Sequence, residues 1–165
     1  MIKQLVFVTE SDIDWMYINS TIRAIYDVRD IRLDHVSMNG KNNYNKKNVV
    51  TKINKAKAGI DGESVVVYCY DTDDINANPN DAKFDKEITK HCKNNGYGLV
   101  WFCRDIEEVF LETRVEQNEK LREAKNYVRK IKSNPYQKTN ICSTNKTNKN
   151  SNLLVVLKIL TPNIN

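Results

Sequence analysis

The sequence predicts an α/β domain: a central, mostly parallel sheet flanked by helices. Three observations predict it. Short apolar runs alternate along the chain with stretches of helical periodicity, the pattern of βαβ units with right-handed crossovers. The run "SVVVYCY" (64–70) is continuously apolar, as expected of a central parallel strand covered on both faces. The chain of 165 residues is 40% hydrophobic and 28% charged, which fits one globular domain able to bury a core without staples.

The elements follow in order. "QLVFV" (4–8) reads as a buried strand. Ile13, Met16, Tyr17, Ile22, Ile25 and Tyr26 fall on one face of a helix starting near Ser11 or Asp12, either of which serves as an N-cap. "DIRLDHVSM" (30–38) alternates as a second strand, and "NGKNNYNKKN" is a polar loop. Val49, Val50, Ile53 and Ala56 mark a second helix. After "SVVVYCY" comes the turn-rich "DTDDINANPND". Phe84, Ile88, His91 and Cys92 then give a third helix, which "NNG" stops before the strand "YGLVWFC" (97–103). "RDIEEVFLE" is helical, and Leu121, Ala124, Tyr127, Val128 and Ile131 carry a helix to about Lys132. These elements make up a domain over 1–132. Residues 133–152, rich in Asn, Lys, Thr and Ser, read as a flexible polar loop or linker. Residues 153–165 read as a terminal strand or short helix packing back on the domain; periodicity over "LLVVLKIL" does not choose between them.

Charge and cysteines narrow the class. Lys and Arg number 26 against 21 Asp and Glu, a net charge of +5, which permits a polyanionic partner without demanding one. The acids concentrate in 61–92, and basic segments flank them from Lys41 to Lys57 and from Arg114 to Lys149. That distribution suits a metal site working on a phosphate backbone, or simply solvated helix faces. Cys69, Cys92, Cys103 and Cys142 form no CxxC pair and, with His35 and His91, match no zinc spacing, so buried free thiols are expected. No secretory signal and no membrane-spanning run is read in the chain, so the expected location is the cytoplasm.

Candidate chemistry gathers where strands end. In open parallel sheets, ligands bind outside the carboxyl ends of the strands. The first strand ends at Glu10 and the third at Asp71, Asp73 and Asp74. If those strands are neighbours, Glu10, Asp71 and Asp73 converge, and in an extended segment Asp71 and Asp73 point the same way. Such oxygen ligands suit Mg²⁺ or Mn²⁺. Taken alone, "DTDD" reads equally as an acidic turn. Arg104, at the end of the fourth strand, is placed to meet a phosphate or to pair with Asp105 or Glu108. Cys103 beside it reads as a core thiol or a nucleophile. Trp101 and Phe102 are core residues or base-stacking platforms.

"LVFVTESDIDWMYI" resembles the opening of a TOPRIM domain, and "VVVYCYDTDD" resembles the TOPRIM strand that ends in a DxD pair. The match is closer to the RloB-like and abortive-infection branch. Asp14 and Tyr17 follow the first Glu as an acid and an aromatic do there, and "KFDKEITKHCKNNG" resembles its Phe-led helix. "LVWFCRDIEEVFLE" places Glu107 at a later acid. The resemblance covers residues 3 to 112. Two positions depart from it: Ser11 stands where Gly is usual, and "CRDI" replaces an Asn-Pro-like lead. The resemblance implies a Rossmann-like TOPRIM fold and a Mg²⁺- or Mn²⁺-dependent nuclease acting on DNA or RNA, in phage defence or nucleic-acid processing, with an ATPase as partner protein. In that mechanism Glu10, Asp71 and Asp73 are the catalytic and metal-binding residues. Asp14, Asp74, Arg104 and Glu107 support them, and Lys46, Lys47 and Arg114 contact the nucleic acid. The alternative is a catalytically inactive TOPRIM-fold module that binds or regulates through a protein partner, a reading prompted by Ser11.

Overall fold

Four strands form the sheet: β1 (Ile2–Thr9), β2 (Arg32–Ser37), β3 (Glu63–Asp71) and β4 (Gly98–Phe102). All pairings are parallel, in the order β2-β1-β3-β4. The structure is a computed structural model and describes residues 2–133 and 139–161. Among the described residues, six α-helices accompany the strands: α1 (Asp12–Ile25), α2 (Lys47–Ala58), α3 (Pro79–Asn95), α4 (Ile106–Leu111), α5 (Lys120–Ser133) and α6 (Leu153–Leu160). The α/β class expected from the sequence is therefore observed, with a parallel sheet covered by helices and consistent with a Rossmann-like fold.

Alternation along the strands divides the core in two. Leu5, Phe7, Val67, Cys69, Val100 and Phe102 face one side and pack with residues of α1, α4, α5 and α6. Val6, Val8, Val66, Tyr68, Tyr70 and Trp101 face the other, against residues of α2 and α3. Successive side chains on a strand point to opposite faces, so a strand buried on both sides must be apolar throughout. That is why "VVVYCY" shows no polar beat. Trp101 and Phe102 both lie in these cores, 6% and 1% exposed, and offer no stacking platform.

Helix ends follow their sequence signals. Ser11 caps α1 in a reciprocal capping box with Asp14. Asn78 caps α3 ahead of Pro79, and Gly96 closes that helix at φ 67°, a left-handed position that glycine adopts without strain. The helical stretch after β4 divides in two, because Glu112 turns left-handed at φ 62° and ends α4. α6 resolves the ambiguity of "LLVVLKIL" in favour of a helix, with Leu153, Leu154 and Leu157 buried.

Residues 139–152, expected as part of a flexible linker, instead line the free edge of β4. The Asn152 side chain acts as a substitute strand: its Oδ1 accepts from the Trp101 amide at 2.9 Å, and its Nδ2 donates to the Leu99 carbonyl at 3.0 Å. The Cys103 amide donates to the Asn150 carbonyl at 2.8 Å, and Ser151 bridges to Phe102. Asn140 Nδ2 donates to the carbonyls of Val109 and Lys149. Residues 134–138 and 162–165 lie outside the described residues. Replacing Asn152 with Ala leaves two backbone groups of an edge strand unpaired, so a loss of about 2 kcal/mol in urea unfolding is expected.

Candidate functional site

The sheet order creates a switch point between β1 and β3. The chain leaves β1 towards β2 on one side, and returns to place β3 on the other. A crevice opens at the carboxyl ends of such neighbours. Glu10 follows β1 and Asp71 ends β3, so the neighbour relation on which their convergence depends is present. Glu10 Oε1 accepts a hydrogen bond from the Asp71 amide at 3.1 Å.

Ser11 does not hold Glu10 away from this crevice. Its backbone is extended, at φ −143° and ψ 169°, a conformation open to any residue, so the position has no need of glycine. Its hydroxyl donates to Asp14 Oδ1 at 2.9 Å, and its amide donates to Asp14 Oδ2 at 2.9 Å. Asp14 is thereby fixed beside Glu10. Thr9 supports the same turn. Its hydroxyl donates to the Ser11 carbonyl at 2.7 Å and so must accept from His35 Nε2 at 2.8 Å, which fixes the proton of that imidazole.

The carboxyls repel one another. Burial pushes the Glu10 pKa up to about 7, with Asp14 and Asp73 adding to the rise and the Asp71 amide and Lys41 opposing it. Burial also drives Asp71 well above the usual carboxylate range, reinforced by Glu10, Asp14, Glu107 and Asp105. Asp14 is raised chiefly by burial, against its hydrogen bonds from Ser11. Groups that resist ionisation in this way favour a proton, or another cation, among them.

Asp73 lies apart from Asp71. It adopts φ 50°, so the segment is not extended there, and its amide bonds to the Arg104 carbonyl at 2.9 Å. Its carboxylate pairs with Lys41, whose ammonium also lies 3.2 Å from Asp81 and 5.2 Å from the centre of the Phe84 ring. Burial disfavours the Lys41 charge, but Asp73 and Asp81 outweigh it and hold its pKa above the ordinary lysine value. The turn that delivers Lys41 uses Gly40 at φ 105°, whose amide donates to the Glu10 carbonyl at 3.0 Å. Asp74 is exposed, and its amide bonds to Asp81 Oδ2 at 3.3 Å.

A second charge pair, half of it buried, lies near Asp71. Glu107, on α4, is fully buried, and its Oε2 accepts from Lys120 Nζ at 2.9 Å. Its Oε1 is buried without a hydrogen-bond partner among the described residues. Burial raises the Glu107 pKa, and Lys120 opposes the rise.

Two arginines line a cavity beside the turn that follows Asp71. This cavity, of about 390 Å³, is lined by Asp73, Asp74, Asp81, Asp105 and Glu108 together with Arg104 and Arg114. Both guanidinium groups are exposed, and neither forms a salt bridge among the described residues. The expected alternative of an Arg104 pair with Asp105 or Glu108 is not formed; Asp105 instead caps α4 through the Glu108 amide at 2.7 Å. Lys46 and Lys47 are exposed at the start of α2, beyond the turn that carries Lys41. Cys103 is buried and its thiol is pushed up by that burial, the reverse of an activated nucleophile.

The convergence of Glu10 and Asp71 was thus expected from the sequence, and the positions of Asp73, Lys41 and Lys120 were not. Lys41 had one faint signal, a lysine directly after a glycine at the end of β2. Lys120 had only its place at the start of a helix.

The donor set is all oxygen and therefore hard. Among the described residues, no group of three or more His, Cys, Asp or Glu side chains is arranged to hold a metal ion. Glu10 and Asp71 remain as an adjacent pair, and Mg²⁺ is commonly held by one or two carboxylates with waters and substrate phosphates completing its shell. Two adjacent carboxyls, both resisting ionisation, fit that mode. No helix among the described residues is long and apolar enough to cross a membrane. No family model, curated protein or solved structure matches this chain.

Proposed function

We propose that the crevice between β1 and β3 is the active site of a Mg²⁺- or Mn²⁺-dependent nuclease acting on DNA or RNA phosphodiesters, in phage defence or nucleic-acid processing. One observation carries this reading: Glu10 and Asp71 meet across the switch point, with Glu10 Oε1 3.1 Å from the Asp71 amide. The resemblance to TOPRIM proteins adds the expectation that this pair holds the metal. When bound, a divalent cation would stabilise charge on the scissile phosphate and lower the pKa of a water.

The chain's own groups supply the rest. Asp71 and one oxygen of Glu10 offer the ligand oxygens. A Glu10 carboxyl poised near neutral pH is also suited to take a proton, at the Oε2 that the Asp71 amide leaves unused. Arg104 and Arg114, both without salt bridges, are suited to hold phosphate oxygens in the cavity they line. Lys46 and Lys47 add positive charge at the same edge of the sheet. Asp14 keeps Glu10 in place through the turn at Ser11. Asp71→Asn keeps the side chain's volume and removes its charge. It is expected to lower Mn²⁺-dependent cleavage of single-stranded DNA or RNA by at least about a hundredfold. Equal cleavage by wild type and variant, or none by either on both substrates, rules the reading out.

A second reading is a TOPRIM-fold module that binds nucleic acid or a partner protein, such as an ATPase, without cleaving. The pairing of Asp73 with Lys41 favours it, because that pairing withdraws one of the three expected ligands. Lys41→Gln separates the two readings: cleavage above the wild-type rate in this variant supports a restrained nuclease, and cleavage by neither protein beside a co-purifying partner supports the module.

A further inference from the structure

We propose that a second cavity, beside the carboxylate crevice, is a nucleotide subsite that holds the next unit of a bound strand. The inference rests on the reading that the crevice handles a phosphodiester. The cavity, of about 270 Å³, lies between the turn after β3 and the loop over 143–150. Arg104, Asp73 and Asp74 line both this cavity and the 390 Å³ cavity that holds Asp81, Asp105 and Arg114, so the two adjoin along the turn after β3.

The backbone here is held in an uncommon form. Asp73 and Arg104 are bridge partners, and both are left-handed without being glycine, at φ 50° and φ 62°. Such positions persist only where the surroundings enforce them. Thr72 helps to enforce this one, its hydroxyl oxygen accepting from the Arg104 amide at 3.0 Å.

The opposite wall is equally well held. Asn150 Nδ2 donates to Ser143 Oγ at 2.9 Å and to the Asn145 carbonyl at 3.0 Å, closing the loop on itself. Lys146 is anchored by Asp85 and by Tyr70 Oη at 3.0 Å, so its charge is fixed and partly compensated. The Thr147 hydroxyl oxygen accepts from Asn150 and keeps its own proton for a ligand. The exposed amides of Asn76 and Asn148 form no hydrogen bonds among the described residues.

This lining selects its ligand. An apolar molecule finds no continuous apolar wall. A simple cation meets Arg104 and Lys146, and of the two acids in the lining Asp73 is already paired with Lys41, which leaves Asp74 alone to hold it. A lone phosphate engages Arg104 but leaves the amides and the Thr147 hydroxyl idle. A nucleotide uses all of them, with its phosphate on the guanidinium and its polar base or sugar edges on the amides and hydroxyl. The Asn- and Lys-rich segment that composition reads as a tether thereby acquires a role as the outer wall of the nucleic-acid path.

The test is fluorescence anisotropy of a labelled single strand of about ten nucleotides, in EDTA. Asn148→Asp puts a carboxylate on the cavity wall, and it is expected to weaken binding by at least about tenfold. Lys93→Gln, in the last turn of α3 where the chain leads into the start of β4, changes net charge by the same amount and is expected to leave binding nearly unchanged. Mn²⁺ binding by Asn148→Asp is expected to match wild type, so the crevice is judged separately. Equal loss in both variants reduces the effect to overall charge and overturns the subsite. So does unchanged binding in Asn148→Asp, or a wild type that binds no strand, whatever the cleavage assay returns for the crevice.

Discussion

Raising the pH from about 5 to about 8 is expected to destabilise the metal-free protein, with Glu10 alone contributing about 3 kcal/mol. The sign follows from the direction of the shift. The Glu10 pKa is about 7 in the fold against 4.5 as its ordinary value, so the folded state binds the proton more tightly. The stabilisation from that proton is complete below the unfolded value and is lost as the pH rises through the folded one. Asp71 and Asp14, both raised, push the same way. His35 and His91, both lowered by burial, oppose it. The comparison between wild type and Glu10→Gln isolates the Glu10 contribution. Urea unfolding at the two pH values is expected to show a much smaller loss in the variant. Adding Mg²⁺ or Mn²⁺ at the higher pH is expected to restore stability to wild type only. Parallel pH profiles for the two proteins contradict the placement of Glu10 in a buried cluster of carboxyls.

Lys120→Met is expected to cost about 3 to 5 kcal/mol, because it leaves Glu107 buried without its cation. The Glu107 side chain is 1% exposed and that of Lys120 is 24% exposed, so the acid suffers the larger penalty when the pair is broken. The cost is largest at neutral pH and shrinks in acid, where Glu107 takes a proton. A double variant, Lys120→Met with Glu107→Gln, is expected to recover most of the loss, since a neutral amide tolerates burial far better than an unpaired carboxylate. Thermal unfolding of the three variants reads this directly. A double variant no more stable than Lys120→Met shows that Lys120 acts through packing rather than charge.

Most of the sheet was legible because its central strands are buried on both faces. "LVFV" and "VVVYC" leave no polar residue to suggest any other use, and the helices between them keep a clear apolar face. Glu10 and Asp71 were legible for a related reason: an acid directly after an apolar strand has no other place than the sheet's carboxyl edge. Asp73 shows where that logic ends. Two residues after a strand, the period of two holds only if the chain stays extended, and a left-handed turn breaks it. Lys41 was hidden because its partners lie 32 and 40 residues away, and no local pattern marks a lysine in a polar loop as part of an acidic site. The 139–152 segment was hidden by its composition. Asparagines that bond the backbone of an edge strand cannot be told, by residue type, from asparagines that face water.

The most direct measurement of the central claim is a Mn²⁺ titration followed by calorimetry, on wild type, Glu10→Gln and Asp71→Asn. Wild type is expected to bind Mn²⁺ saturably, with release of protons near neutral pH as the Glu10 carboxyl ionises, and both variants are expected to lose most of that heat. Equal heats from all three proteins, or none from wild type, contradict a divalent-cation site at the ends of β1 and β3.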